Sequence, residues 1–365
     1  MRAPTPRAPQ RGERTPAGRD AGYRQFLIAI PKTEIHLHLE GLASVTTVWN
    51  LMSAHRIEIP GVNTIDDLRR RYRVTSLPEF IDLFLHVIQE SFRDEADLRL
   101  LFDDAREYLR RNGIVYAELH FAPSAFLRGG HRFDRLMKVL EEGAAALERE
   151  GLVVRFLVDV SRTFGLENAM RNLELTLDHR IPAVVGIGLG GQEAGGPARD
   201  FVKVFERARA AGLRTVAHAG ESVGPESIRD AIEILGAERI GHGLSAIKDP
   251  AVMDLIDRRR IPLETCPTSN LFTGHFVKTL RKHPIGRFFE RGLRVTVNTD
   301  DPAIFGAELI DEYANLVAEG IFDEAQTLRL VKNGVYATFL PIDTQDRLWN
   351  DARQAIERQH RAAPE

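Results

Sequence analysis

Eight short β-rich runs recur along the chain with helical stretches between most of them, and this alternation constrains the fold more than any other feature. The runs are "TEIHLHL" (33–39), "IVYAELHF" (114–121), "VVRFLVDV" (153–160), "AVVGIGL" (183–189), "RTVAHA" (214–219), "RIGHG" (239–243), "IPLETC" (261–266) and "LRVTVNTD" (293–300). Strands separated by helices pair in parallel, because only a crossover returns the chain to the same end of the sheet. Eight such units suggest a closed (β/α)8 barrel. An open doubly wound sheet is the rival, and periodicity alone does not separate the two. The gap at 42–113 is longer than one crossover helix needs and carries "SVTTVWNLMSAH" and "LPEFIDLFLHVIQESF". It reads as a helical insertion after the first strand, a natural lid. Phe80, Phe84 and Leu85 share one face of it, as a pocket roof or as core packing.

The chain has 365 residues, enough for one barrel with extra helices. No repeat or low-complexity linker interrupts residues 23–350, so residues 23–365 are expected to form one domain. Residues 1–22 are rich in Pro, Arg, Gly and Ala and nearly free of large apolar side chains. They read as a flexible, disordered tail without the apolar core of a secretory signal. A net charge of −3 gives no positive field for nucleic acid. No apolar run reaches bilayer length, so no membrane partner is expected, and the expected location is cytoplasmic. The single cysteine, Cys266, excludes an internal disulfide and any cysteine-rich zinc site.

Polar chemistry gathers at the strand ends. His36 and His38 are two residues apart in a strand and therefore face the same way. Five further runs end in "GLGGQE" (188–193), "HAGE" (218–221), "GHG" (241–243), "CPTSN" (266–270) and "NTDDP" (298–302). Barrel enzymes place their chemistry at this end. Singly, each signal has a plain structural reading: a hydrogen-bonded core histidine, a turn, a helix cap. Together, His36, His38, His218 and Asp300 suit one zinc-like divalent ion. Strand four ends in "GIGLGG", with neither an acid nor a lysine to bridge a second ion, so a mononuclear site is the better reading. Such a site leaves a position for water, whose pKa falls toward about 7. Glu221 follows His218 by three residues and suits a proton shuttle, or a solvated or capping acid. His242 could orient or deprotonate the water and stabilise developing negative charge. Asp301 lies past the strand end before Pro302, where it either reaches a substrate or caps a helix.

In order and spacing, "HLHLEG", "GLGGQE", "HAGE", "GHG", "CPTSN" and "NTDDP" resemble the adenosine/adenine deaminase family of the amidohydrolase superfamily, over nearly all of residues 26–340. The resemblance implies a (β/α)8 TIM barrel that hydrolytically deaminates a small-molecule 6-aminopurine with water, using one Zn2+ per subunit. It implies that His36, His38, His218 and Asp300 hold the zinc and that His38 also faces the substrate. Glu221 would protonate purine N1, and His242 would assist the zinc-bound hydroxide at C6. The Gly191 N–H would bond N3, and Asp301 would bond N7.

Glu40 stands where animal-type adenosine deaminases carry an aspartate that contacts the ribose 5′-hydroxyl, and adenine deaminases of the family tend to carry glutamate there. "GGQE" likewise replaces the "AGDE" of animal-type enzymes. The expected substrate is adenosine or deoxyadenosine, with adenine and aminodeoxyfutalosine as alternatives. An acid at position 40 counts modestly against the last of these. Two readings of other classes compete: a barrel amidase or esterase, and a non-catalytic purine-binding protein.

Overall fold

In the computed structural model, which describes residues 17–273 and 275–362, the eight expected strands form one parallel sheet in sequence order. They are β1 (Lys32–His38), β2 (Ile114–Phe121), β3 (Val153–Asp159), β4 (Val184–Leu189), β5 (Arg214–Ala219), β6 (Arg239–His242), β7 (Leu263–Thr265) and β8 (Val295–Val297). Helices lie between successive strands, and the arrangement is that of a (β/α)8 barrel. The open-sheet alternative fails because the segment just after β8 returns to β1. His38 N–H donates to the Asp300 carbonyl at 2.9 Å, and Asp300 N–H donates to the His36 carbonyl at 3.2 Å.

Side chains do much of the closing. Asn298 Oδ1 accepts from the Ile35 and His36 N–H groups at 3.1 and 3.2 Å, in place of backbone carbonyls. Glu34 Oε1 accepts from the N–H and hydroxyl of Thr299, each at 2.7 Å. β8 ends at Val297, earlier than the apolar pattern predicts: from Asn298 onward side-chain bonds are mixed with backbone ones and the regular ladder stops. The seam also brings Asp300 beside His36 and His38.

The long first crossover holds α2 (Val45–His55), α3 (Ile65–Arg71), α4 (Leu77–Leu83) and α5 (Glu95–Arg111), following α1 (Ala17–Ala29) at the front of the described chain. Local sequence starts each helix of the insertion. The Ser44 hydroxyl accepts from Thr47 N–H, and Thr64 with Asp67 and Asp94 with Asp97 form capping boxes. α5 buries Leu98, Leu101, Phe102, Ala105, Tyr108 and Leu109 along one stripe. α4 runs into a π-helical segment, Phe84–Gln89, which crosses the barrel mouth.

Residues 1–16 of the expected tail lie outside the described residues. Residues 17–22 form the opening turns of α1, so the helix starts before the boundary that composition suggested. Pro16 is the last proline before Pro31, which leaves this stretch free to be helical, and Leu27 anchors the helix in the core. Among the described residues no helix is long and apolar enough to cross a membrane.

Replacing Asn298 with alanine leaves two buried N–H groups at the seam without an acceptor. We expect urea unfolding to show a loss of about 2–4 kcal/mol. A loss below about 0.5 kcal/mol would mean that the seam does not depend on this amide.

Candidate active site and metal centre

On β1, Leu37 packs outward in the apolar core while His36 and His38 face the barrel interior; the register slips between Glu34 and Leu37, and Glu34 turns to α5, where it accepts from the Tyr108 hydroxyl at 2.9 Å. His36 Nδ1 lies 2.7 Å from Glu264 Oε2 on β7. Glu264 Oε1 in turn lies 2.6 Å from Arg239 Nε, and Arg239 also pairs with Glu118 Oε2 at 2.5 Å. All four groups are buried. With Nδ1 committed to Glu264, His36 presents Nε2 to the mouth of the barrel, and that buried atom has no hydrogen-bond partner among the described residues.

Nε2 of His36 and of His38 lie 3.4 and 3.3 Å from Asp300 Oδ1, and His38 Nε2 lies 3.3 Å from His218 Nε2. One donor atom from each of the four residues falls within 4.8 Å of all the others. Burial disfavours a charged imidazole, yet Asp300 and Glu264 raise His36 to about 9. Burial and the neighbouring histidines push His218 well below its ordinary value. The cluster thus favours positive charge but cannot spread it over every ring. Three imidazoles and one carboxylate around an orphaned nitrogen fit a divalent cation of the zinc type.

Asp300 adopts φ +68° and His242 φ +63°, left-handed conformations that few non-glycine residues take. Ser269 Oγ donates to the second oxygen of Asp300 at 2.6 Å. Arg162, itself buried, donates to the His218 carbonyl at 2.7 Å and to the Gly196 carbonyl at 3.0 Å, tying the ends of β3, β4 and β5 together. Glu193 of "GGQE" accepts from Gly220, Ser222 and Val223 N–H at 2.5–3.0 Å, which fixes the loop carrying Glu221.

A cavity of about 880 Å³, its open mouth included, lies over this cluster. Glu221, His242, Gly191 and Asp301 line it with His38, His218 and Asp300. Burial, reinforced by Asp300 and Glu193, pushes the Glu221 carboxyl up to about 8. His242 Nε2 lies 3.5 Å from Glu221 Oε2, and burial pushes His242 down to about 3. Gly191 has φ +96°, and a Cβ there would meet Thr163 Oγ1 at 2.3 Å, so only glycine brings this backbone to the cavity wall. Asp301 is buried, its Oδ1 has no hydrogen-bond partner among the described residues, and its side chain makes no cap bond to the helix Pro302–Phe305. A Cβ at Gly41 would meet the Asp301 carboxylate at 2.2 Å, which accounts for the glycine after "HLE".

Glu40 sits elsewhere than expected. It is fully buried behind the cavity wall and does not line the cavity. Its Oε1 accepts from Gln89 Nε2 and from Ala122 N–H, both at 3.0 Å. Gln89 takes its place at the wall with Ser124 and Asp159, its buried Oε1 without a hydrogen-bond partner among the described residues. Phe80, Ile81, Phe84 and Leu85 of α4 and the π-helical segment line the other side. Sequence reasoning missed Glu264, Asp159, Gln89 and Arg162. Glu264 had a readable signal, an acid inside an apolar strand run; Gln89 had none.

The family model for adenosine deaminase matches residues 31–355. The chain belongs to the adenosine deaminase family. It is 39% identical over 329 residues to an aminodeoxyfutalosine deaminase of Streptomyces avermitilis, covering 88% of this chain and 90% of that one. It is 35% identical over 322 residues to an adenosine deaminase of Klebsiella pneumoniae, covering 86% and 94%. The crystal structure of an adenine deaminase from Arthrobacter aurescens superposes with a TM-score of 0.85 at 28% identity, covering 90% of this chain and 99% of that one. Membership carries the reaction class, hydrolysis of a C–N bond in an aminopurine-type substrate.

Glu264→Gln keeps the shape but removes the charge that holds His36. We expect zinc affinity, measured by chelator competition, to fall about 10–100-fold. Unchanged affinity would show that His36 needs no such support.

Proposed function

We propose that this chain hydrolyses the C6–amino bond of a 6-aminopurine nucleoside, foremost adenosine or deoxyadenosine, with release of ammonia. The observation that carries the reading is the cluster of His36, His38, His218 and Asp300 opening onto one cavity with a high-pKa carboxyl, Glu221. These four residues would hold one zinc ion, which when bound supplies a Lewis acid and an acidified water. Residues 23–365 would act as a single catalytic unit.

Glu221 carries its proton at neutral pH and donates it to ring N1. Protonation draws electron density from C6 and offsets the loss of aromaticity on attack. His242 faces the same reaction volume and steers the attacking oxygen. The Gly191 N–H and the unpartnered Asp301 oxygen take the N3 and N7 edges and hold the ring in register. An amidase or esterase needs no acid aimed at a ring nitrogen, and a non-catalytic binder needs neither the acid nor the cation cluster.

The cavity has both polar and apolar lining. Gln89, Ser124 and Asp159 set polar groups at its wall, as a sugar would require. A second reading, a nucleoside extended at its 5′ side, is favoured by the 39%-identical aminodeoxyfutalosine deaminase and by the apolar side formed by Phe80, Ile81, Phe84 and Leu85.

A deamination panel of adenosine, deoxyadenosine, adenine and aminodeoxyfutalosine tests both readings. Ammonia release from a nucleoside should exceed that from adenine, and turnover of simple amides in place of aminopurines would refute the proposal. Glu221→Gln should abolish turnover while metal content stays at the parent level. Because the acid works only when protonated, kcat/KM should decline above about pH 8, the value at which burial sets Glu221. A profile flat to pH 10 would remove Glu221 from the role.

A further inference from the structure

The hydrogen bonds behind His242 run in a single direction, and their direction can be deduced from one donor that has no choice. The backbone N–H of Ile285 can only donate, and it meets His283 Nδ1 at 3.2 Å. His283 Nδ1 is therefore the acceptor nitrogen. His283 is buried, and burial pushes its pKa down to about 3, so the ring is neutral and its one hydrogen sits on Nε2. That hydrogen points at Asn270 Oδ1, 3.1 Å away. With its oxygen so engaged, Asn270 turns its amide nitrogen to His242 Nδ1, also at 3.1 Å. An amide N–H can only donate, so His242 Nδ1 accepts, and the hydrogen of a neutral His242 must lie on Nε2, the nitrogen beside Glu221 at the cavity.

We infer that Asn270 and His283 are positioning residues that lock His242 in its Nε2–H tautomer, so that it acts at the reaction centre as a hydrogen-bond donor and not as a base. The inference rests on the proposed deamination and deepens it. Sequence reasoning left His242 free to orient or deprotonate the water and to stabilise developing negative charge, and the relay rules out the deprotonation. A nitrogen that already carries hydrogen cannot take a proton from water. It can donate to oxygen as negative charge develops there, and being neutral it does so without a prior change of charge. The relay also explains why a histidine with no contact to the cavity is buried next to Pro284 at the start of the helix Ile285–Glu290: its two nitrogens pass the polarity of one backbone N–H to the site.

Asn270→Asp tests this with almost no change of shape. A carboxylate accepts where the amide donated, so it pulls the hydrogen of His242 onto Nδ1 and turns Nε2 into an acceptor. In the serine-protease triad an Asp-to-Asn change that leaves the wrong histidine tautomer costs about 10⁴ in kcat. Here kcat should fall at least about 100-fold with KM within about threefold. His283→Leu should lower kcat in the same way, and His283→Gln, whose amide can still donate to Asn270, should recover most of it.

The direct readout is the 15N spectrum of histidine-labelled, zinc-loaded full-length protein, with the His242 signals assigned by their loss in His242→Gln. The parent should show a protonated Nε2 and a bare Nδ1, and Asn270→Asp should reverse them. A bare Nε2 in the parent, or an unreversed pattern in a folded Asn270→Asp, overturns the relay whatever the activity. The expected spectrum in a protein that deaminates no aminopurine would instead refute the reaction and leave the tautomer standing.

Discussion

Glu264 lies where the barrel's structural and chemical demands meet. One oxygen holds His36 Nδ1 and the other meets Arg239, which is also paired with Glu118. A lone carboxylate buried this deeply would be costly, and so would a lone guanidinium. Arranged in a line, acid and base offset each other's desolvation and extend to the ring of His36. That ring then has a fixed orientation, its free nitrogen aimed at the barrel mouth. His38, His218 and Asp300 gather around that nitrogen, and the cavity opens on it.

A second constraint is the closure of the sheet. Between β8 and β1 the bonds pass through Asn298, Glu34 and Thr299 as well as through backbone. A seam built partly of side chains lets the chain leave β8 early and turn at Asp300 with a positive φ. That turn places one aspartate among the histidines and the next, Asp301, against the cavity wall. "NTDDP" therefore serves closure and chemistry at once, which is why two adjacent carboxylates can face one site although strand alternation would send them apart.

Much of this was legible in the sequence. The eight runs map onto the eight strands, and the long first crossover is helical because its caps and apolar stripes are local signals. The residues expected to hold a cation sit at strand ends, where side-chain period and barrel geometry leave little freedom. What was not legible depends on packing between distant segments. Glu40 follows the second histidine in sequence, but the chain turns into a 3-10 helix there and buries it behind Gln89, whose place at the wall is set by a π-helical segment with no sequence signature. Position 40 therefore acts on the cavity through Gln89, which limits what that residue alone can say about the substrate. The seam, the Arg239–Glu264 line and the His283–Asn270 relay likewise join residues far apart in space or sequence whose pairing no periodicity encodes.

The central claim is that one cation is held by three imidazoles and Asp300 at the barrel mouth. Anomalous diffraction from crystals of the zinc-loaded protein, recorded on both sides of the zinc edge, tests it most directly. The account predicts a single peak bounded by Nε2 of His36, His38 and His218 and a carboxylate oxygen of Asp300. A peak instead among His36, His120 and Glu264, or among His36, His242, Cys266 and Asp300, the two other groups among the described residues whose donor atoms lie close enough, would contradict it, as would no peak at all.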